Sequence, residues 1–364
     1  MKFNIYFYSI FLLWNINVSY GQNNPVTIPM TSSNWELSEG ARNTKHSFEE
    51  FEGRETLLLN GQATVKGYEF SNGIIEVDVY AKEARSFAGI IFRKQKGTME
   101  EAYMRMHKSK QADAVQYSAI YNYETNWQLY REYQANVMFK TKGWNTLRVE
   151  VNGTTAEVSV NNEKVLTVND LKTGFSVGQV GLWALFNNRF SNFRITNTDS
   201  VTSSKQSSKK DYSSDLIKIW NVTQAFPYIK GALNPNDFSQ LDSKSLNTEA
   251  SGLLPISKYI KRTSVGNFEA NKEEYAVAST TVVADTNEVR QFFFDYSDKI
   301  FVYLNGTLIF SGNNAFRSKG VQYQGHIDIN ANSLYLDLKK GKNTLQCVII
   351  DKANGWGIIG GLKK

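Results

Sequence analysis

The stretch "NTLRVEVNGTTAEVSVNNEKVLTV", Asn145 to Val168, decides the fold class. Leu147, Val149 and Val151 alternate with Arg148 and Glu150, and Ala156, Val158 and Val160 alternate with Glu157 and Ser159. Side chains of a strand point to opposite faces in turn, so this period describes strands with one wet and one buried face. Asn152-Gly153 and Asn161-Asn162 separate the runs, and both pairs tolerate the positive φ of tight hairpin turns. Three antiparallel strands in 24 residues follow from the quoted stretch itself.

The same grammar extends in both directions. "GIIEVDVYA", "FAGIIFRKQ", "YMRMH", "AVQYSAIYN", "WQLYRE" and "GQVGLWALF" are short alternating or apolar runs between Gly, Asn, Asp and Lys clusters. No stretch sustains a helical period. After "NTDSVTSSKQSSKKDYSS" a second β-rich series begins, with "YAVASTTVVA", "QFFFDYS", "KIFVYLNGTLIFSG", "SLYLDLKKGKNTLQCVII" and "GWGIIGGL". Turns are expected at Asn305-Gly306 and at Lys340 to Asn343, and the segment from Trp220 to Thr263 is less regular. The fold expected is all-β: two antiparallel β-sandwich (jelly-roll) domains, 22–196 and 215–364, joined by a Ser/Lys-rich linker over 197–214. The halves are not repeats of one another.

Lys2, the apolar run Ile5 to Trp14, and "SYG" before Gln22 have the pattern of a secretory signal peptide over 1–21. An exported chain, secreted or held in the periplasm or envelope, is expected, with a retained amino-terminal anchor as the alternative. No later run could span a bilayer. Of 364 residues, 41 are Lys or Arg and 35 Asp or Glu, a net charge of +6. The basic residues are scattered, and the one local run, Lys205 to Lys210, lies in the linker, so no nucleic-acid surface is indicated. Cys347, the single cysteine, sits in the apolar run "LQCVII" and reads as a buried, inert thiol. Sequons at Asn152, Asn221 and Asn305 permit glycosylation, but two of them coincide with hairpin turns. Oligomeric state is not legible.

From about Asn34 to Thr196 the chain resembles the concanavalin A-like, laminin-G-like sandwich family, through "FSNGIIEVDVYA", "RSFAGIIFR" and the closing "GQVGLWALFNNRFSNFRIT". It is similar, too, to secreted bacterial domains related to one proposed to hydrolyse 3-keto-disaccharides. Residues 215–364 resemble the galactose-binding-like jelly rolls that accompany glycosidases, through "KIFVYLNGTLIFSGNNAFR" and "GWGIIGGL". These resemblances imply a glycan or polysaccharide partner, bound on the concave sheet of the first sandwich.

Sugars require planar hydrogen-bonding groups beside an aromatic platform. In "YMRMH" a strand would put Tyr103, Arg105 and His107 on one face. Gln116, Tyr121, Asn122, Trp127 and Gln128 follow within reach of neighbouring strands, and Arg93 could join from "IIFRKQ". The candidate ligand-binding set is therefore Arg105, His107, Gln116, Tyr121, Asn122, Trp127 and Arg93. A glycoside-acting enzyme, hydrolase or lyase, is the alternative, with His107 as acid/base and Asp113 or Glu101 as its partner. An envelope protein-interaction module is a second alternative.

Other motifs are weaker. "EVDVY" resembles the start of the Glu-x-Asp-x-Glu strand of laminarinase-type glycosidases, but Tyr80 stands where their acid/base Glu belongs. No G-x-S-x-G elbow is present. Three histidines and one cysteine never fall at zinc spacing; calcium is the one metal that the "DTNE" turn, Asp285 to Glu288, would suit. His46 and His326 are expected at the surface, and Trp356 reads as core or platform. The loop with Asn313, Asn314 and Arg317 is a further polar candidate.

Overall fold

The computed structural model describes residues 24–38, 45–82, 84–198, 212–264 and 271–363. The leader 1–21 and most of the linker 197–214 lie outside them. Strands dominate both halves, and two four-residue helices, Pro235–Phe238 and Ile256–Tyr259, interrupt the less regular segment. No helix among the described residues is long and apolar enough to cross a membrane.

The first sandwich is one hydrogen-bonded, 14-stranded antiparallel system that doubles over itself. Two long strands, Arg54–Phe70 and Gly178–Asn197, each run through both layers. Their mutual register breaks between Ala184 and Asn188, where Phe186 and Asn187 take left-handed φ of 69° and 50°. On one side of that corner lies the front sheet: Gln134–Ala135, Val115–Tyr121, Thr98–Met104, Phe87–Gln95, then the first half of Gly178–Asn197. On the other lies the back sheet: Glu163–Val168, Thr155–Val160, Gly143–Asn152, Gly73–Ala81, then the second half.

The hydrophobic alternation explains the core. Leu147, Val149, Val151, Val158 and Val160 point inward with Ile75, Val77 and Val79, and meet Ile90, Phe92, Ala102, Val115 and Leu182 of the front sheet. Each buried aliphatic side chain contributes roughly 1.5–3 kcal/mol by leaving water. Asn161 and Asn162 adopt φ of 51° and 69° and Gly153 59°, as hairpin turns require.

The second sandwich packs a seven-stranded sheet against a four-stranded one. Trp220, Phe292, Phe294, Cys347 and Trp356 fill its core, so Trp356 is no platform: its Nε1–H donates to the Ile349 carbonyl at 3.1 Å. The two sandwiches are in direct contact. Leu253 and Ile359 belong to the first core, and Ile327 and Ile329 pack against it.

Candidate functional site

The strand Thr98–Met104 divides its glutamates between two worlds. Glu100 points inward and accepts from Thr173 N–H at 3.0 Å, Thr173 Oγ1 at 2.7 Å and Tyr117 O–H. Glu101, one residue on, points outward with Met99 and Tyr103. It is 3% exposed and has no hydrogen bond or ion pair among the described residues. Burial pushes its carboxyl up to about 8, so it is mainly protonated at neutral pH.

Register fixes its neighbours. Glu101 lies between Ile91 and Ser118, and Tyr103 between Gly89 and Gln116. Trp183 is paired with Gly89, and Gln134 with Gln116. The outward row is thus Trp183, Gly89, Tyr103, Gln116, Gln134. Gly89 keeps the row shallow between two rings, and a Cβ there would meet the Tyr103 backbone and side chain. Tyr103 and Trp183 meet edge to face at 5.5 Å, and Phe87 closes the group at 6.3 Å from Trp183. The Tyr103 hydroxyl donates to Gln116 Oε1, but Gln116 Nε2 is buried without a partner; so are Arg105 Nε and Ser86 Oγ. Buried polar atoms ordinarily have partners, so this concentration around one group of rings marks the face.

The second sandwich borders the row. Gln134 Nε2 lies 2.8 Å from His326 Nε2, and His326 packs edge to face on Trp127 at 5.4 Å. Phe316 packs on the same indole at 5.7 Å. His326 is therefore half-buried at the junction rather than at the open surface, and desolvation takes its imidazole down to about 4.

Several expectations are corrected. The strand ends at Met104: Arg105 N–H closes a loop onto the Ala114 carbonyl at 2.8 Å, and Met106 to His107 enter a short 3-10 turn. Tyr103, Arg105 and His107 therefore do not share a strand face. Arg105 reaches back over Phe87, 5.3 Å from its centroid, and is ion-paired to Asp113. Asp113 is thus occupied by Arg105 and does not orient His107. His107 Nδ1 sits against the Ser86 backbone; desolvation, reinforced by Arg105, takes its imidazole down to about 4. Tyr121 points into the core, where its hydroxyl donates to the Lys172 carbonyl at 3.1 Å. Arg93 occupies a bulge with φ 49° and clasps the Ser71 and Phe175 carbonyls and Asn72.

Asn122, Trp127 and Gln128 face the second sandwich. Asn122 Nδ2 donates to the Ser257 carbonyl at 2.9 Å, Trp127 Nε1 to Asn354 at 3.2 Å, and Gln128 Nε2 to the Gln324 carbonyl at 2.8 Å. Of the expected ligand set, Gln116 stands in the outward row, and Arg105 and His107 flank it on Phe87, the imidazole edge to face with that ring at 5.1 Å. Reasoning from sequence missed Trp183, Gln134, Phe87 and His326; the position of Trp183 in "VGLWALF", alternating with Leu182 and Ala184, is the signal that could have found it.

The back sheet offers a contrast. A cavity of about 400 Å³ there is lined by Arg54, Asp78, Ser191 and Asn192 with residues 27–30. Asp78 accepts from Arg54 at 3.0 Å, Thr146 at 2.6 Å and Asn192 at 3.2 Å, and Glu76 lies between Arg148 and Arg194. These carboxylates are already satisfied. Among the described residues no three His, Cys, Asp or Glu side chains converge as metal ligands; Asp285 is exposed in its turn.

The fold and the row define an all-β protein of two packed sandwiches with a polar-aromatic row of side chains bordering their junction. Residues 32–196 match the model of the 3-keto-alpha-glucoside-1,2-lyase-like domain. No curated protein matches the chain. Among solved structures it is similar to the carbohydrate-binding module CBM66 from Bacillus subtilis, at 15% identity over 45% of this chain and 96% of that one, with a TM-score of 0.35. The Bacillus licheniformis β-glucanase aligns at 12% identity over 49% and 100%, also with a TM-score of 0.35.

Proposed function

We propose that this is an exported carbohydrate-associated protein that binds a glycan on the outward front face of its first sandwich, 22–196. In this reading the second, galactose-binding-like sandwich, 215–364, closes one end of the site. The observation that carries it is the set of unpartnered polar groups, Glu101, Gln116 Nε2, Arg105 Nε and Ser86 Oγ, gathered around Trp183, Tyr103 and Phe87. Vicinal hydroxyls supply both donors and acceptors to such groups, and the apolar face of a pyranose suits the half-buried indole. The description of the matching family model points to the same class of partner. The test is a glycan array with the mature chain and its Trp183→Ala variant. Binding by the parent that the variant loses is expected; equal binding by both moves the site elsewhere, and silence from both overturns the reading.

The second reading is turnover, favoured by one observation: burial holds Glu101 protonated, as a general acid must be. His107, held neutral at pH 7 and engaged with Ser86, lacks the imidazolium proton that a general acid would donate. Product formation from 3-keto-glucosides that Glu101→Gln abolishes without loss of binding would establish turnover.

A further inference from the structure

Arginines border the row from both sandwiches. Arg85 lies over Phe87 at 5.4 Å and over Phe186 at 5.3 Å, and Arg105 lies over the same Phe87 ring. From the second sandwich Arg317 lies over Phe316 at 4.8 Å, and Phe316 packs on Trp127, the neighbour of His326. Desolvation and then the charges of Arg317 and Arg105 lower the Arg85 guanidinium, so the three cations feel one another across the junction. Asp113 neutralises Arg105. Arg85 and Arg317 have no acidic partner among the described residues, and both are exposed. Arg131 adds a further positive charge near His326.

Like charges brought together without counter-charge cost free energy unless something anionic joins them. Guanidinium groups held over aromatic rings still have N–H donors to offer, and such donors pair with a carboxylate or sulfate. We infer that the ligand carries acidic groups, a uronate or sulfated saccharide, with Arg85 and Arg317 receiving its anion from opposite sides of the junction. This deepens the glycan reading above and rests on it. The sugar body would lie on the Trp183–Gln116 row, and the anionic substituent would project toward the two free arginines. Neutral sugars would use the row alone.

The test is titration of the mature chain with polygalacturonate and its carboxyl-reduced form, and with dextran sulfate and dextran. Each pair keeps its backbone while the anion is removed. The double variant Arg85→Gln/Arg317→Gln is compared with Lys339→Gln/Lys340→Gln, which removes equal charge from an exposed turn of the second sandwich. At least one acidic polymer is expected to bind more tightly than its neutral partner. The arginine variant should lose about ten- to a hundredfold of that affinity, and the lysine variant should lose little. Which acidic polymer responds separates carboxylate from sulfate. Equal losses from both variants would reduce the effect to general polyanion binding and overturn the inference. Neutral forms binding as well as acidic ones would overturn it while leaving the glycan reading intact. No binding by any polymer, together with a silent array, would remove both.

Discussion

The front sheet carries two polar regions that meet the second sandwich in opposite ways. At its end, Asn122, Glu124, Asn126, Trp127 and Gln128 all find partners across the junction, culminating in Arg262, which is fully buried between Glu124 and Asp351. A few residues away, Gln116, Arg105 and Ser86 retain buried atoms with no protein partner, and Glu101 makes no hydrogen bond or ion pair among the described residues. The sequence presents both as the same mixture of amides, tyrosines and tryptophans. The first region is spent on holding two sandwiches together, and the second is left with capacity for a ligand. Richness in planar polar groups does not single out the site proposed for a sugar; the unpaired groups do.

The sharpest break of that comparison is Arg262→Ala. Removing the cation leaves Glu124 and Asp351 buried without it, and loss of about 3–5 kcal/mol in chemical denaturation is expected. A loss under about 1 kcal/mol would mean that the junction is not structural.

Glu101 gives the next effect, through pH. Its folded carboxyl titrates at about 8 against an ordinary value of 4.5. Between those values the folded chain holds a proton that the unfolded chain has released, so its contribution to stability falls as pH rises from 4.5 to about 8 and then levels off. The unfolding free energy from urea titrations should decline over that window, by up to a few kcal/mol, and Glu101→Gln should flatten the decline. An unchanged slope in the variant would place the titration elsewhere.

Trp127→Ala removes junction packing and the bond to Asn354, for a cost of about 2 kcal/mol. Here thermal unfolding is the readout, and a variant that loses glycan binding at undiminished stability would return Trp127 to the ligand site. Ser86→Ala is the smallest change. Deleting a hydroxyl that has no partner should leave stability within about 1 kcal/mol or raise it slightly, and a marked loss would reveal a partner for Ser86.

Period-two alternation made the sandwich legible, since Leu147, Val149 and Val151 read as inward and are. Parity also separates Gln116 from Tyr121: five residues apart on one strand, they face opposite sides, and only Gln116 faces out. What the sequence could not carry was the end of a strand. "YMRMH" alternates well, yet the loop closure at Arg105 turns the last residues off the sheet. Nor could it show which polar groups the second sandwich would cover, because contacts such as Trp127 with Asn354 join residues more than 200 positions apart. Arg317 was visible as a loop residue, while its relation to Arg85 exists only in the packed pair.

The most direct test is a crystal structure of residues 22–364 with the tightest saccharide from the array. Sugar stacked on Trp183, within hydrogen-bond reach of Gln116 Nε2 and Glu101, is the expected result. Density in the back-sheet cavity beside Asp78, or confined to the second sandwich, would contradict it.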